Sequence, residues 1–331
     1  MVRLMDRVRG QETAILTLKR ALSRSKVHHA LLFDGPEGVG KEMAAFALAQ
    51  CLVCEKPDGD ALACGACSAC VRAVPREGES RPLHPDVVVI ERGLYEPAQI
   101  GRRTPETQDI SIDQIRTLVL ARAAFQPHEG RAKVFIIRRT EELSTSAANA
   151  LLKTLEEPGS RSHFILLSAQ GDALLPTIRS RALRIRFGAL SEALVAELLR
   201  ERGTDAALAD ELAKHAGGSM AAALSLADEE ATAIRDRFVA AAREALTASH
   251  LSPAMALAEE GKKDKDALEA GLRAFAAELA REARAAAGDK TRTTDIAATR
   301  FRMVLGALQN LDRNASPQLT AESLFIRLRS L

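Results

Sequence analysis

Apolar runs and polar breaks alternate along the first half of the chain in the manner of buried strands followed by helices. HALLFDG (29–35), PDVVVIE (85–91), KVFIIRR (133–139) and HFILLSA (163–169) are short and nearly continuous in apolar residues, as strands covered on both faces must be. ALRIRF (182–187) sets Leu183, Ile185 and Phe187 against Arg184 and Arg186 and predicts a strand with one wet face. Between them, KEMAAFALAQCLV (41–53), SIDQIRTLVLARAAF (111–125) and SAANALLKTLEEP (146–158) predict helices, the second capped by Ser111 and the third running from Ser146 to its stop at Pro158. Such alternation predicts an α/β domain, a parallel sheet with helices on its faces. The polar stretch 92–109, with two Pro and two Gly, predicts an exposed loop.

After Phe187 the strand-like runs stop and Ala, Leu, Glu and Arg dominate. LSEALVAELLRERG (190–203) and ALADELAKHAGG (207–218) predict two short helices, each closed by Gly, in a compact helical unit over 188–230. Longer amphipathic helices are expected from 231 to 331, carried by 233–248, 267–287 and 299–314, with GDKTRTTD (288–295) as a polar break.

Composition narrows the class. A chain of 331 residues exceeds one comfortable core, so two or three domains are expected. Hydrophobic residues at 47% and charged ones at 27% are ordinary for a globular protein. Aromatics are 3%, with no Trp and one Tyr, which argues against a base-stacking surface for single-stranded nucleic acid. A net charge of +2 gives no global attraction to DNA or a membrane. The N-terminus is charged throughout, and no segment reaches the roughly 18 uninterrupted apolar residues that span a bilayer, so a cytoplasmic protein is expected.

The candidate chemistry begins at GPEGVGKE (35–42), one letter from the phosphate-binding pattern in which glycines expose backbone N–H groups, Lys holds the terminal phosphates and a hydroxyl ligates Mg²⁺. Gly35, Gly38, Gly40 and Lys41 stand in register between a strand and a helix, but Glu42 occupies the hydroxyl position. Its carboxylate adds negative charge beside a triphosphate and weakens binding. The strand that should end in an acidic pair, Val134 to Ile137, is followed by Arg138 and Arg139. Glu141 and Glu142 lie three residues on, in the following turn or helix. Nucleotide-loop ancestry without intrinsic hydrolysis is the expectation.

All five Cys fall between Cys51 and Cys70, an arrangement that suits a local metal site better than a disulfide framework in a reducing compartment. Cys54-x9-Cys64-x2-Cys67-x2-Cys70 offers four thiolates to one tetrahedral Zn²⁺, with Gly65 easing the knuckle. A ferredoxin-type cluster would need a further C-x3-C-P, and 71–75 contain no Cys. Cys51 lies one helical turn from Cys54, so spacing alone admits either as the first ligand. Such a closed shell of four thiolates is structural, and in isolated peptides it contributes roughly 10–16 kcal/mol at neutral pH. His84 and His163 read as packing or capping residues.

HALLFDGPEGVGK, HPD (84–86), ISIDQIRTL (110–118), NALLKTLEEP (149–158) and TIRSRA (177–182), in that order over about residues 8–187, resemble the clamp-loader subunits of bacterial DNA polymerase III, most closely the delta-prime type. The resemblance implies an AAA+ P-loop-type parallel-sheet domain over 1–187 with a zinc-binding insertion at 51–70. A three-helix lid over 188–230 and an all-α collar over 231–331 would follow. It further implies a hetero-pentamer with gamma/tau and delta subunits, acting on the sliding clamp at primer-template DNA, with no membrane. It makes Cys54 rather than Cys51 the first metal ligand. Arg181 becomes an arginine finger, reaching in trans into a neighbour's ATP site; family members carry Ser-Arg-Cys where this chain has Ser180, Arg181 and Ala182, and Arg179 is the weaker candidate. Ser168 falls where the family puts a phosphate-sensing polar residue, with no catalytic duty once the acidic pair is gone. The expected role is a non-hydrolysing stator in which ATP or ADP at Lys41 would be structural. Two alternatives are an active gamma-like ATPase motor and a zinc-dependent DNA-binding module. The second is disfavoured, because 51–70 holds one Lys and no Arg against one Glu and two Asp.

Overall fold

The computed structural model describes residues 3–102, 109–159, 161–286, 292–312 and 315–331. Five strands, β1 (Ala30–Asp34), β2 (Val87–Ile90), β3 (Lys133–Ile137), β4 (Ser162–Ser168) and β5 (Leu183–Arg186), form one sheet in the order β2-β3-β4-β1-β5. Every pairing is parallel. Four lie inside the expected runs and β4 starts one residue before its own, at Ser162; β1, β2 and β3 are buried at every position, which is why their sequences do not alternate. On the edge strand β5, Ile185 is buried while Arg186 is exposed. Leu183 departs from the expected inner face and is 49% exposed, since an edge strand has a neighbour on one side only.

β1 is flanked by β4 and β5, so the chain leaves β1 at the point where strand order reverses, the crevice where open α/β sheets bind ligands. The helices come in chain order as α1 (Glu12–Ser23), α2 (Lys41–Val53) and α3 (Ser68–Arg72), then α4, opening at Ile112–Ile115, widening to a π turn at Arg116–Leu120 and ending at Ala121–Ala123. α5 (Thr145–Glu156), α6 (Pro176–Arg179), α7 (Glu192–Glu201), α8 (Ala206–His215) and α9 (Met220–Ala227) follow. Ser111 caps α4, accepting from the Gln114 N–H at 3.2 Å. α5 starts earlier than expected: Ser144, extended at φ −58° and ψ 152°, accepts from the Ala147 N–H, which leaves Ser146 already inside the helix. One face of the sheet packs Leu32, Ile90, Phe135 and Phe164 against Ile115 and Val119 of α4 and Leu151 and Leu155 of α5.

Of the loop expected at 92–109, residues 103–108 lie outside the described residues. The rest is less exposed than its polarity suggests, because Pro97–Ile100 forms a 3₁₀ turn that buries Ile100, and the Tyr95 hydroxyl donates to the Val89 carbonyl at 2.8 Å.

The chain divides into two compact units, Met1–Leu224 and Ser225–Leu331. The second is helical: α10 (Glu229–Thr247), α11 (Ser252–Lys263), α12 (Lys265–Ala286), α13 (Arg292–Asp312) and α14 (Pro317–Arg329) enclose Leu272, Phe275, Leu311 and Phe325. Arg329 donates to the carbonyls of Ala245, Ala248 and His250, satisfying acceptors in the last turn of α10 and in the segment just after it. Of the break expected at 288–295, residues 288–291 lie outside the described residues, and Arg292 already opens a helix. No helix among the described residues is long and apolar enough to cross a membrane.

Candidate functional site

The phosphate-type loop joins the end of β1 to the start of α2. Gly38 and Gly40 have φ of +70° and +100°, the left-handed region that side chains avoid. At Gly38 a Cβ would also collide with Ser219 and with the backbone of Ala221, since the Met220 N–H donates to the Gly38 carbonyl at 2.9 Å. At Gly35 a Cβ would strike the Phe187 carbonyl. Gln11 ties the loop to the chain beyond β5, its amide donating to the carbonyls of Val39 and Gly188 at 3.1 and 2.7 Å.

Lys41 is 9% exposed and turns back on the loop, its Nζ donating to the Gly35 and Pro36 carbonyls at 2.5 and 2.6 Å. Burial holds its pKa below the ordinary lysine value, against the opposing pull of Glu141, Glu37 and Asp34. Asp34, at the end of β1, accepts from Arg184 Nε at 2.7 Å and from the Gly171 N–H at 2.9 Å. Ser168, at the end of β4, is buried and accepts from the Gln170 N–H at 3.0 Å.

The tip of β3 carries the decisive contact. Arg138, with a side chain 12% exposed, donates through Nη2 to the carboxylate of Glu42 and through Nη1 to Glu91 at 2.7 Å. The carboxylate at the hydroxyl position of the loop and the cation at the acidic position of the strand are therefore joined directly. Arg139 adopts φ +45° and opens the 3₁₀ turn Thr140–Glu142. Glu141 sits in that turn, accepting from the Ala169 N–H at 3.1 Å, while Glu142 pairs with Arg92 at 3.5 Å and Arg139 at 3.4 Å.

Arg181 lies just past α6 and is not among the contacts of the loop. Its Nε donates to Glu156 at 2.6 Å, Nη2 pairs with the same carboxylate, and Nη1 reaches the Thr177 carbonyl at 2.9 Å and Ser180 Oγ at 3.3 Å. Arg179 pairs with Asp172 at 3.4 Å.

The Sγ atoms of Cys54, Cys64, Cys67 and Cys70 all lie within 4.8 Å of one another, an arrangement fit to hold one metal ion. Successive backbone N–H groups aim at the sulfurs: Cys64 at Cys54 (3.3 Å), Cys67 at Cys64 (3.3 Å) and Cys70 at Cys67 (3.4 Å). N–H bonds from Ala66 and Cys67 hold the Cys64 thiol down at about 6, favouring the thiolate that binds metals. Cys67 also caps α3, so its sulfur meets a helix N-terminus. Cys51 stands outside this set. Burial pushes its thiol up to about 11, and its sulfur accepts the Ala63 N–H at 3.3 Å.

HPD has a structural use. The Asp86 carboxylate accepts from the N–H groups of His128, Glu129 and Gly130 at 2.6, 2.8 and 2.7 Å; burial raises its pKa, but these bonds outweigh burial and hold the carboxyl below its usual range. His84 is buried, its Nδ1 accepting from the Asp86 N–H at 3.1 Å.

Sequence reasoning singled out Glu42 and Arg138 separately and missed that they meet, together with Glu91. The available signal was that two anomalous residues of opposite charge fall at the two positions that would flank one Mg²⁺. Glu156, Gln11 and Asp34 were missed as well, since nothing in their local pattern marks their partners.

The family model described as "DNA polymerase III, delta subunit" matches residues 10–191. The delta-prime subunit of Pseudomonas aeruginosa is 37% identical over 163 residues, 49% of this chain and 43% of that protein. The tau subunit of Escherichia coli is 34% identical over 226 residues, covering 66% of this chain, and the gamma/tau subunit of Mycobacterium tuberculosis is 32% identical over the same share. The chain spans only 32% and 36% of the length of those two relatives. A solved gamma subunit-related protein of Thermotoga maritima superposes with a TM-score of 0.42 at 19% identity, over 95% of this chain and 98% of that one. By the model that covers more than half of its length, the chain belongs to the DNA polymerase III delta-subunit family, within the clamp-loader subunits.

Proposed function

We propose that this chain is a non-hydrolysing, delta-prime-type stator of a clamp loader. The observation that carries the reading is the Glu42–Arg138–Glu91 contact. In a hydrolysing site of this class Mg²⁺ bridges the loop hydroxyl and a strand-tip Asp, and a neighbouring acid or polar group steers the attacking water. Here the bridge between loop and strand is a guanidinium, already neutralised by two carboxylates of its own chain. A residue that could polarise water is lacking at 138 and 139, and Glu141 lies off the strand tip, in the turn that follows, with one carboxylate oxygen accepting from the Ala169 N–H. ATP or ADP at Gly35, Gly38, Gly40 and Lys41 would need Lys41 to leave two carbonyls, and its role would be structural.

In this reading the four cysteines hold Zn²⁺, a closed shell that organises 51–70 and leaves no position for substrate. Residues 188–230 serve as lid and 231–331 as the collar that joins gamma/tau and delta subunits in a pentamer. Arg181 serves a neighbour's ATP site in trans, where a permanent cation stabilises the charge that develops on the transferring phosphoryl group; fingers of this kind supply roughly 10³–10⁵ in rate. Hydrolysis by those neighbours then drives loading of the sliding clamp on primed DNA.

The 32–34% identity to gamma/tau subunits favours a second reading, an ATPase motor. One experiment separates them. The isolated chain, with its metal retained, should release no phosphate from ATP, while Arg181→Ala should slow clamp-stimulated hydrolysis by the reconstituted loader without preventing assembly. Turnover by the isolated chain that Lys41→Ala abolishes would replace the stator by the motor.

A further inference from the structure

The carboxylate that Arg181 pairs with has no evident structural reason to be where it is. Glu156 is the last residue of α5, where a negative charge opposes the helix dipole and a neutral or basic residue would be more stable. The pair is solvent-accessible, at 32% for the Arg side chain and 46% for the Glu, and ion pairs so exposed add little to stability. Arg181 would be held without it in part, since Nη1 already satisfies the Thr177 carbonyl at the end of α6 and Ser180 Oγ. What Glu156 adds is the opposite edge of the fork: Nε and Nη2 both donate to its Oε1. With four N–H groups engaged from two sides, the side chain has one orientation rather than a rotamer ensemble, and one Nη2 hydrogen is left over.

Resting on the stator reading above, we propose that Glu156 is a positioning residue: its carboxylate fixes the Arg181 guanidinium in the orientation that meets a nucleoside triphosphate held by the adjoining subunit. The ordering entropy of the finger is then lost during folding of this chain rather than in the neighbour's transition state. A misplacement of about 1 Å at such a contact costs up to about 100-fold in rate, so the effect belongs in kcat and leaves KM, which reports nucleotide binding by the neighbour, unchanged.

The test uses the complete reconstituted loader with clamp and primed DNA. Glu156→Ala should lower kcat for ATP hydrolysis by about tenfold or more at constant KM, with assembly unaltered and the melting temperature of the chain not lowered. Because both bonds go to a single oxygen, Glu156→Gln keeps the acceptor and should retain most of the rate. In an Arg181→Ala background, Glu156→Ala should cost nothing further. A rate increase with Glu156→Ala would make the carboxylate a competitor for the finger and overturn the proposal, as would a loss that persists when Arg181 is absent. If Arg181→Ala slows the loader and Glu156→Ala does not, positioning alone is wrong; if Arg181→Ala itself has no effect, the finger reading falls instead.

Discussion

The phosphate-type loop and the cysteine insertion are both ligand sites by pattern, and they sit at opposite ends of α2. They differ in what their side chains do with one another. At the loop, the cations are occupied within the chain: Lys41 donates to two backbone carbonyls, and Arg138 is shared by the carboxylates of Glu42 and Glu91. At the insertion, four sulfurs converge, and backbone N–H groups aim at those of Cys54, Cys64 and Cys67. Four thiolates at such spacing repel unless a cation lies among them. One site is neutralised from within, and the other gathers like donors that a cation would have to neutralise.

The largest expected effect lies at the insertion. Cys70→Ser removes one of four donors from a buried position, and metal content should fall from one ion per chain toward none. The melting temperature should drop by about 10 °C or more, since loss of a structural metal is among the costliest single changes and each kcal/mol is worth about 2–4 °C in a unit of this size. Metal analysis after gel filtration and a thermal melt measure both. Full metal loading in the variant would show that the four sulfurs are not the ligand set.

At the loop the expected effect is smaller and of another kind. Arg138→Ala leaves Glu42 and Glu91 facing each other across the tip of β3. Breaking a buried pair costs about 3–5 kcal/mol; with Glu42 49% exposed and screened, about 2 kcal/mol is expected, read as a shift in the denaturation midpoint. Arg138→Ala/Glu42→Ala should recover part of that loss, because the second change removes the stranded charge. If Glu42→Ala changes the midpoint by the same amount with Arg138 present as in the Arg138→Ala background, the coupling is zero, Glu42 and Arg138 do not interact, and the contrast between the two sites would lose its physical basis.

How much of this was legible beforehand follows from the range of each interaction. The five strands were readable because burial on both faces leaves continuous apolar runs such as Val134 to Ile137, and the donor set was readable because its four cysteines lie within 17 residues of sequence. The Glu42–Arg138 bridge joins residues 96 apart, and Arg181–Glu156 joins residues 25 apart, the end of α5 to the turn after α6. Such pairings depend on how elements pack, which local pattern does not encode. The start of α5 at Ser144 rather than Ser146 was a choice among Ser144, Thr145 and Ser146, any of which is an acceptable cap, settled by which backbone turns first. Ile100 was lost in a polar stretch because one apolar residue there has no periodicity to announce its burial.

The smallest predicted effect discriminates most finely, since it tests why one of five cysteines stays out of the site. Cys51 and Cys54 are one turn apart on the same face of α2 and its end, and composition treats them alike. Position separates them: the Cys54 sulfur lies within 4.8 Å of those of Cys64, Cys67 and Cys70, whereas the Cys51 sulfur is outside that set and accepts a hydrogen bond from the Ala63 N–H, one residue before Cys64. Cys51→Ser keeps an acceptor in that place, so its cost should be below about 1 kcal/mol, the worth of one hydrogen bond, with a full complement of metal. Cys51→Ala leaves the Ala63 N–H unsatisfied and should cost about 1–2 kcal/mol, again without loss of the ion. Should Cys51→Ser instead release the metal while Cys54→Ser retains it, the first ligand is Cys51, and the boundary between a converging donor and a buried thiol lies one helical turn earlier in the chain.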